Sequence, residues 1–253
     1  MKSGLLHLST LLFLASASAL SAAVTFTGSG TSGFGGPVGG SSMTWSDDGT
    51  TISVSFTKGA GAFNDSFVLY LDAGSLGRNA IGTQVNDRGD ALRSAISYME
   101  AGTGKTLTLP NGFEATHAIA IDTSFGGLWQ IPSSGSIGNN GLVFKNGVNS
   151  TLNNSGQATF TFSLNVADLG ITPNSGATIG FVGTYLNEFG DPGNGNSLGF
   201  ASNEGYGGTF PGSNIGQNDF TFTSGLSYTI VPEPATAGLG LFGAALMLRR
   251  RRN

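Results

Sequence analysis

The feature that most restricts this chain is a period of two. Ile52, Val54 and Phe56 alternate with Thr51, Ser53, Ser55 and Thr57, and Phe160, Phe162 and Leu164 alternate with Thr159, Thr161 and Ser163. Phe220 and Phe222 repeat the pattern, as do Leu226, Tyr228 and Ile230 beyond a Ser224-Gly225 turn. Successive side chains of an extended strand point to opposite faces, so these stretches bury one face and wet the other, as antiparallel sheets do. Residues 67–71 and 178–186 are apolar without alternation and read as central strands covered on both faces. Residues 24–27 and 117–121 add two more candidates.

Turn signals separate these runs: Asp48-Gly49, Asn111-Gly112, Asn140-Gly141, Asn146-Gly147 and Asn174-Ser175-Gly176. One short helix is expected from Asp90, a good N-cap, through Met99, with Leu92, Ala95, Ile96 and Met99 on one face. No repeat of fixed period points to a solenoid or propeller. The expectation is an all-β chain, an antiparallel, jelly-roll-like β-sandwich with one short helix, a closed barrel being the alternative. The 42 glycines among 253 residues would suit disorder. The sustained alternation and 18 phenylalanines argue instead for a packed core. Segment 24–230 is long enough for one domain that buries roughly 70% of its unfolded surface.

The two ends are of another kind. Met1-Lys2-Ser3-Gly4 leads into an apolar stretch through Leu14, then small residues from Ala15 to Ala23. A lone lysine, a short apolar run and a small-residue site at Ser21-Ala22-Ala23 predict a secretory signal helix, residues 1–23, cleaved after Ala23. At the other end, Val231-Pro232-Glu233-Pro234 stops the last strand, since neither proline can donate a backbone hydrogen bond. An uncharged stretch from Ala235 to Leu248 follows, then Arg249, Arg250, Arg251, Arg252 and the terminal Asn253. The stretch is shorter than the ~20 residues that span a bilayer unaided, but the arginines can snorkel. As a short transmembrane helix it would stop translocation there and leave the domain outside the cytoplasm.

Pro-Glu-Pro, a short apolar helix and a terminal arginine cluster, in that order, resemble the PEP-CTERM sorting signal of Gram-negative bacteria. The resemblance covers residues 231–253. It implies a tether on the inner membrane, processing near Pro-Glu-Pro by a membrane-embedded exosortase, and a destination at the cell surface or in an exopolysaccharide matrix. A more distant likeness runs through the middle: residues 67–72, 112–120 and 202–205 are similar to stretches of secreted β-sandwiches related to family-nine carbohydrate-binding modules and DOMON domains. It transfers no binding residue.

Composition narrows the chemistry. With Cys 0, disulfides, zinc-thiolate sites, iron–sulfur ligation and thiol nucleophiles are excluded together. Segment 24–230 holds 6 of the 11 Lys and Arg but 14 of the 15 Asp and Glu, so the domain is acidic and repels phosphate backbones. Nucleic acid is not an expected partner. Extracellular polysaccharide is.

No catalytic constellation emerges. Gly102-Thr103-Gly104-Lys105-Thr106 lacks the first glycine of a phosphate loop, Met99 standing in its place. His7 leaves with the signal peptide, so His117 is the one imidazole of the domain, and it stands in a strand run without a nucleophile elbow. A glycosidase needs two carboxylates at a defined separation, for which Asp72, Asp87, Asp90, Glu114, Asp122, Glu188, Asp191 and Glu204 are the candidates. Asp191, Asn194 and Asn196, with nearby carbonyls, offer oxygen ligands of the kind calcium takes. Their spacing departs from the EF-hand loop, and a polar glycine turn is the simpler reading. Trp45, Trp129, Tyr185 and Tyr206 are candidates either for sugar-stacking platforms or for core filling. Arg88-Gly89-Asp90 reads as the approach to the short helix.

These readings point to an exported, non-catalytic surface or matrix protein. A carbohydrate-binding module, calcium-assisted or not, and a secreted glycoside hydrolase or lyase are the alternatives. No cofactor other than calcium has candidate ligands.

Overall fold

Alternation places the apolar side chains of neighbouring strands on one face only if the strands pair in register. In the computed structural model, which describes residues 23–30, 36–97, 106–150, 156–186, 201–208 and 219–232, they do. β1 (Val24–Thr27) and β2 (Ser29–Gly30) open the domain, followed by β3 (Ser42–Asp47), β4 (Thr51–Thr57) and β5 (Ser66–Asp72). β6 (Ala80–Ile81), helix α1 (Ala91–Ser97) and β7 (Leu107–Thr108) come next, then β8 (His117–Ile121), β9 (Gly126–Gln130), β10 (Val143–Gly147) and β11 (Asn149–Ser150). β12 (Thr159–Asn165), a 3-10 turn at Val166–Leu169, β13 (Thr178–Leu186), β14 (Ala201–Tyr206), β15 (Phe220–Thr221) and β16 (Leu226–Thr229) complete it. The chain is all-β with one short helix among the described residues.

Five strands form one sheet in the order β1-β3-β4-β12-β11. A second runs β10-β9-β8-β5-β13-β14-β2, with β16 beside β13. β13 pairs with β5 along one edge from Gly180 to Leu186 and shares the other edge between β16 and β14. In the first sheet Ile52, Val54 and Phe56 stand opposite Leu164, Phe162 and Phe160, and Trp45 stands opposite Val54. A slip of one residue would turn every one of these side chains to solvent.

The two sheets meet through aromatic rings. Trp45 of β3 stacks on Phe181 of β13 with centroids 4.7 Å apart and planes 13° from parallel. Phe56 of β4 stacks on Phe67 of β5 at 4.9 Å and 17°. Phe63, in the loop before β5, joins Phe160 at 5.0 Å to Tyr185 at 5.5 Å. The second sheet's other face carries Val68, Tyr70, Ala118, Ala120, Trp129 and Val182 into a separate core. This core is roofed by α1 and by a small sheet in which β7 lies between β6 and β15. The continuous burial of β5 and β8 follows from being covered on both faces.

The helix starts as expected. Asp90 caps it, its Oδ1 accepting the Arg93 N–H at 2.8 Å, and Leu92, Ala95 and Ile96 are buried. The described helix ends at Ser97, and Met99 lies outside the described residues. One expectation is corrected. Asn146-Gly147 is no turn: both residues lie in β10, opposite Leu128 and Gly127, with a bulge between Phe144 and Asn146. The bulge absorbs the irregularity that Asn-Gly would otherwise put into a reversal, and the chain runs on through Val148 to β11. Among the described residues no helix is long and apolar enough to cross a membrane. The segments expected to form the signal helix and the C-terminal membrane helix lie outside them, apart from Ala23, Val231 and Pro232.

Truncating a ring of the inter-sheet stack should be costly and truncating a solvent-facing apolar residue should not. Phe56→Ala is expected to lower unfolding stability by about 3–5 kcal/mol. Leu76→Ala, at a position 82% exposed, should stay within about 0.5 kcal/mol. Urea midpoints of the two variants measure the contrast.

Candidate functional site

The four aromatic platform candidates are all interior: Trp45 and Tyr206 are 0% exposed, Trp129 and Tyr185 2%. This corrects the platform reading, and the reason is packing: Trp45, Tyr185 and Tyr206 fill the space between the two sheets and Trp129 the second core under α1. Tyr185 Oη accepts the N–H groups of Asn64 and Asp65 at 2.7 and 2.6 Å, fixing the loop before β5. Tyr206 Oη bonds Ser41 Oγ at 2.6 Å, and burial raises its phenol well above the ordinary tyrosine value. Among the described residues Phe125 and Phe144 are instead the large aromatics at the surface, tilted against each other at 6.4 Å, with Phe144 edge-on to Trp129 beneath. Period-two reading did not single them out, because β9 and β10 begin among glycine and asparagine.

Among the described residues the carboxylates do not converge on a cleft in pairs; most bind backbone. Glu204, fully buried in β14, takes the N–H groups of Gly36 on Oε1 and of Val38 and Gly39 on Oε2, at 3.0, 2.8 and 2.5 Å. Asp87, also fully buried, accepts Gly89, Asn140 and Leu142 N–H at 2.9, 2.7 and 2.8 Å and Arg93 Nη1 at 2.8 Å. Desolvation raises its pKa, but the donors from Gly89, Leu142, Arg93 and Asn140 outweigh it and hold the carboxyl below the usual aspartate value. Asp122 closes a turn on Ser124 and Phe125. Asp72 accepts the N–H groups of Gly74 and Glu114, and Glu114 that of Gly77. Asp90 caps α1. Sequence reasoning passed over Asp47, which is buried and accepts Gly49 N–H at 2.7 Å, the Tyr228 hydroxyl, and Val231 N–H at 3.1 Å. Its neighbour Gly49, at φ +85°, was the one visible signal.

Two recesses among the described residues are wide enough to take a small molecule. An open cleft of about 470 Å³ is bordered by Arg78, Asn79, Gln84, Thr106, Glu114 and Ser133. Arg78 is committed to the carbonyls of Pro132 and Gly135, both at 2.6 Å. A smaller polar pocket of about 190 Å³ lies where β8, β9 and β10 end against the Val166–Leu169 turn, and His117, Gln130, Lys145 and Asp168 line it. His117 is 4% exposed, and its Nδ1 lies 2.9 Å from Thr116 Oγ1. Burial, with Lys145 adding to it and Asp168 opposing, lowers the imidazole pKa to about 4.

Among the described residues no group of three or more His, Asp and Glu could hold a metal ion. The calcium candidates Asp191, Asn194 and Asn196 lie outside the described residues, as do Glu188, Glu233, Pro234, Arg249, Arg250, Arg251, Arg252 and the loop 102–105. Ala23 is exposed directly ahead of β1, Val231 is half-buried and Pro232 exposed. Arg88-Gly89-Asp90 does lead into α1. No protein-family model, no curated protein and no solved structure matches the chain.

Two stability measurements follow. The folded His117 pKa lies below its unfolded value near 6.5, so the unfolded chain binds the extra proton. Stability should be full above about pH 6.5 and fall by a few kcal/mol as the pH drops to about 4; in His117→Gln that slope should vanish. Asp87→Ala should cost roughly 3–5 kcal/mol by leaving three N–H groups without their acceptor, Arg93 keeping Asp90 and the Leu142 carbonyl. Asp90→Ala, losing an exposed cap, should cost about 1 kcal/mol. Urea midpoints across the pH range read both.

Proposed function

We propose that this chain is an exported, non-catalytic protein built as a jelly-roll-like β-sandwich. The C-terminal segment holds it on the inner membrane until an exosortase-type enzyme processes it. It is then displayed at the cell surface or released into an exopolysaccharide matrix. The observation that carries this reading is the state of the two junctions. Ala23 and Pro232 are solvent-exposed at the margins of a filled core, and Val231 is held by Asp47. Neither Ala23 nor Pro232 belongs to either described core. The order Pro-Glu-Pro, apolar stretch, arginine cluster supplies the address.

The fate of the carboxylates favours a non-catalytic domain over a glycoside hydrolase or lyase. Hydrolysis needs one carboxyl free to give a proton and a second free to act on the sugar or a water. Asp87 and Glu204 are buried acceptors of backbone N–H, and Asp72 meets Glu114 through the latter's main chain. The carbohydrate-binding alternative loses its aromatic carriers, all four of which are interior.

Localisation tests the proposal. The wild-type chain should pass through an inner-membrane pool and accumulate at the surface or in the matrix. Deleting residues 231–253 should abolish the membrane pool and leave soluble exported protein, as seen by fractionation and immunoblotting. The same distribution with and without the segment would refute the sorting role.

A further inference from the structure

The pocket at the end of β8, β9 and β10 contains an imidazole atom that the fold leaves unused. Thr116 Oγ1 has a single hydrogen, and the carbonyl of Leu71 lies 3.1 Å away to receive it. The same oxygen accepts the Ala73 N–H at 3.2 Å. The Leu71 carbonyl also accepts the Thr116 N–H at 2.8 Å, and in the tautomer that keeps the hydroxyl hydrogen on that carbonyl the ring donates across the 2.9 Å contact between His117 Nδ1 and Thr116 Oγ1. In that tautomer Nδ1 carries the proton and Nε2 the lone pair, the state on which the assignment below rests. The ring is neutral at physiological pH, since its pKa lies at about 4. Among the described residues Nε2 has no hydrogen-bond partner, although the residue is 96% buried and lines the pocket.

What surrounds that lone pair selects the ligand. Gln130 stands directly across from His117 in the β8–β9 register and offers both an amide donor and a carbonyl acceptor. Lys145 brings a cation, and Asp168 brings an anion that also takes Asn146 Nδ2 at 3.3 Å. A metal cation is disfavoured by the ammonium and by the lack of a third ligand. A phosphate or carboxylate would meet the lone pair and the Asp168 charge. Interleaved donors and acceptors with balanced charge suit a neutral molecule of several hydroxyl groups, each able to give and take a hydrogen bond. Ala73 and Leu169 supply apolar surface beside them. At about 190 Å³ the recess accommodates one ring.

We infer that this pocket is a binding site for a single neutral sugar ring, with His117 Nε2 and Asp168 accepting hydroxyl hydrogens and Lys145 and Gln130 donating to hydroxyl oxygens. The choice of a sugar rests on the proposed matrix-facing location. The donor and acceptor pattern does not.

The test is a ¹⁵N–¹H NMR titration of the whole protein at neutral pH with glucose, galactose, mannose and N-acetylglucosamine, and separately with glycine as a zwitterion. The free protein should show an unprotonated Nε2 and a protonated Nδ1 at His117. At least one sugar should shift the Nε2, Gln130 and Lys145 signals saturably. Asp168→Ala and Lys145→Ala, changes at side chains outside both cores, should each weaken binding by about tenfold or more with the fold's amide spectrum retained. The opposite tautomer, no saturable shift with any sugar, equal affinity in both variants, or saturable binding of glycine alone would each overturn the assignment. None of these outcomes bears on sorting, which fractionation measures independently.

Discussion

Ring stacking between two sheets is the interaction on which the rest of this molecule depends. Trp45 on Phe181 and Phe56 on Phe67 join strands far apart in sequence. The chain has no cysteine to staple them and only one short described helix to brace them. Burying such rings contributes through the area removed from water and through the preferred geometry of aromatic pairs. That contact fixes which face of β3 and β4 is interior and which face of β5 and β13 meets the first sheet, the other face of β5 and β13 being closed by the second core.

A glycine-rich chain must also hold its loops, and here carboxylates do so. The loop at Gly36, Val38 and Gly39 turns three N–H groups onto Glu204, and the loops at Gly89 and 140–142 turn theirs onto Asp87. Each pairs a buried charge with several donors, the condition under which burial of a carboxylate is tolerable. The same arrangement withdraws these acids from chemistry. An acidic composition thus translates here into loop order and surface charge, and the recess of most chemical interest contains one histidine, one lysine and one aspartate.

Much of the fold was legible because it rests on local patterns, alternation in β4 and β12 and unbroken apolar runs in β5, β8 and β13. Residues 178–186 and 117–121 form β13 and β8 with the expected limits, and Asp90 caps the helix it was expected to cap. β3 was passed over although Met43 and Trp45 alternate with Ser42, Thr44 and Ser46, because two apolar positions are a short signal. β9, reading Gly-Gly-Leu-Trp-Gln, hides its inward face behind glycine: Gly127 leaves room for the Trp129 ring, and a Cβ there would lie 2.5 Å from it. The pocket was the least legible part. His117, Thr116, Lys145 and Asp168 meet only through three strand pairings and a 3-10 turn, and nothing local in the sequence specifies which imidazole nitrogen stays open. The fate of the tryptophans and tyrosines was equally a matter of long-range packing.

The central claim is that one all-β domain sits between two addressing segments that are removed from it. Intact mass and terminal peptide sequencing of the protein recovered from the surface or matrix of the producing cells test that most directly. The account predicts an N-terminus at Val24 and a C-terminus within or just beyond Val231-Pro232-Glu233-Pro234. A mature protein that retains Met1 or ends at Asn253 would contradict it.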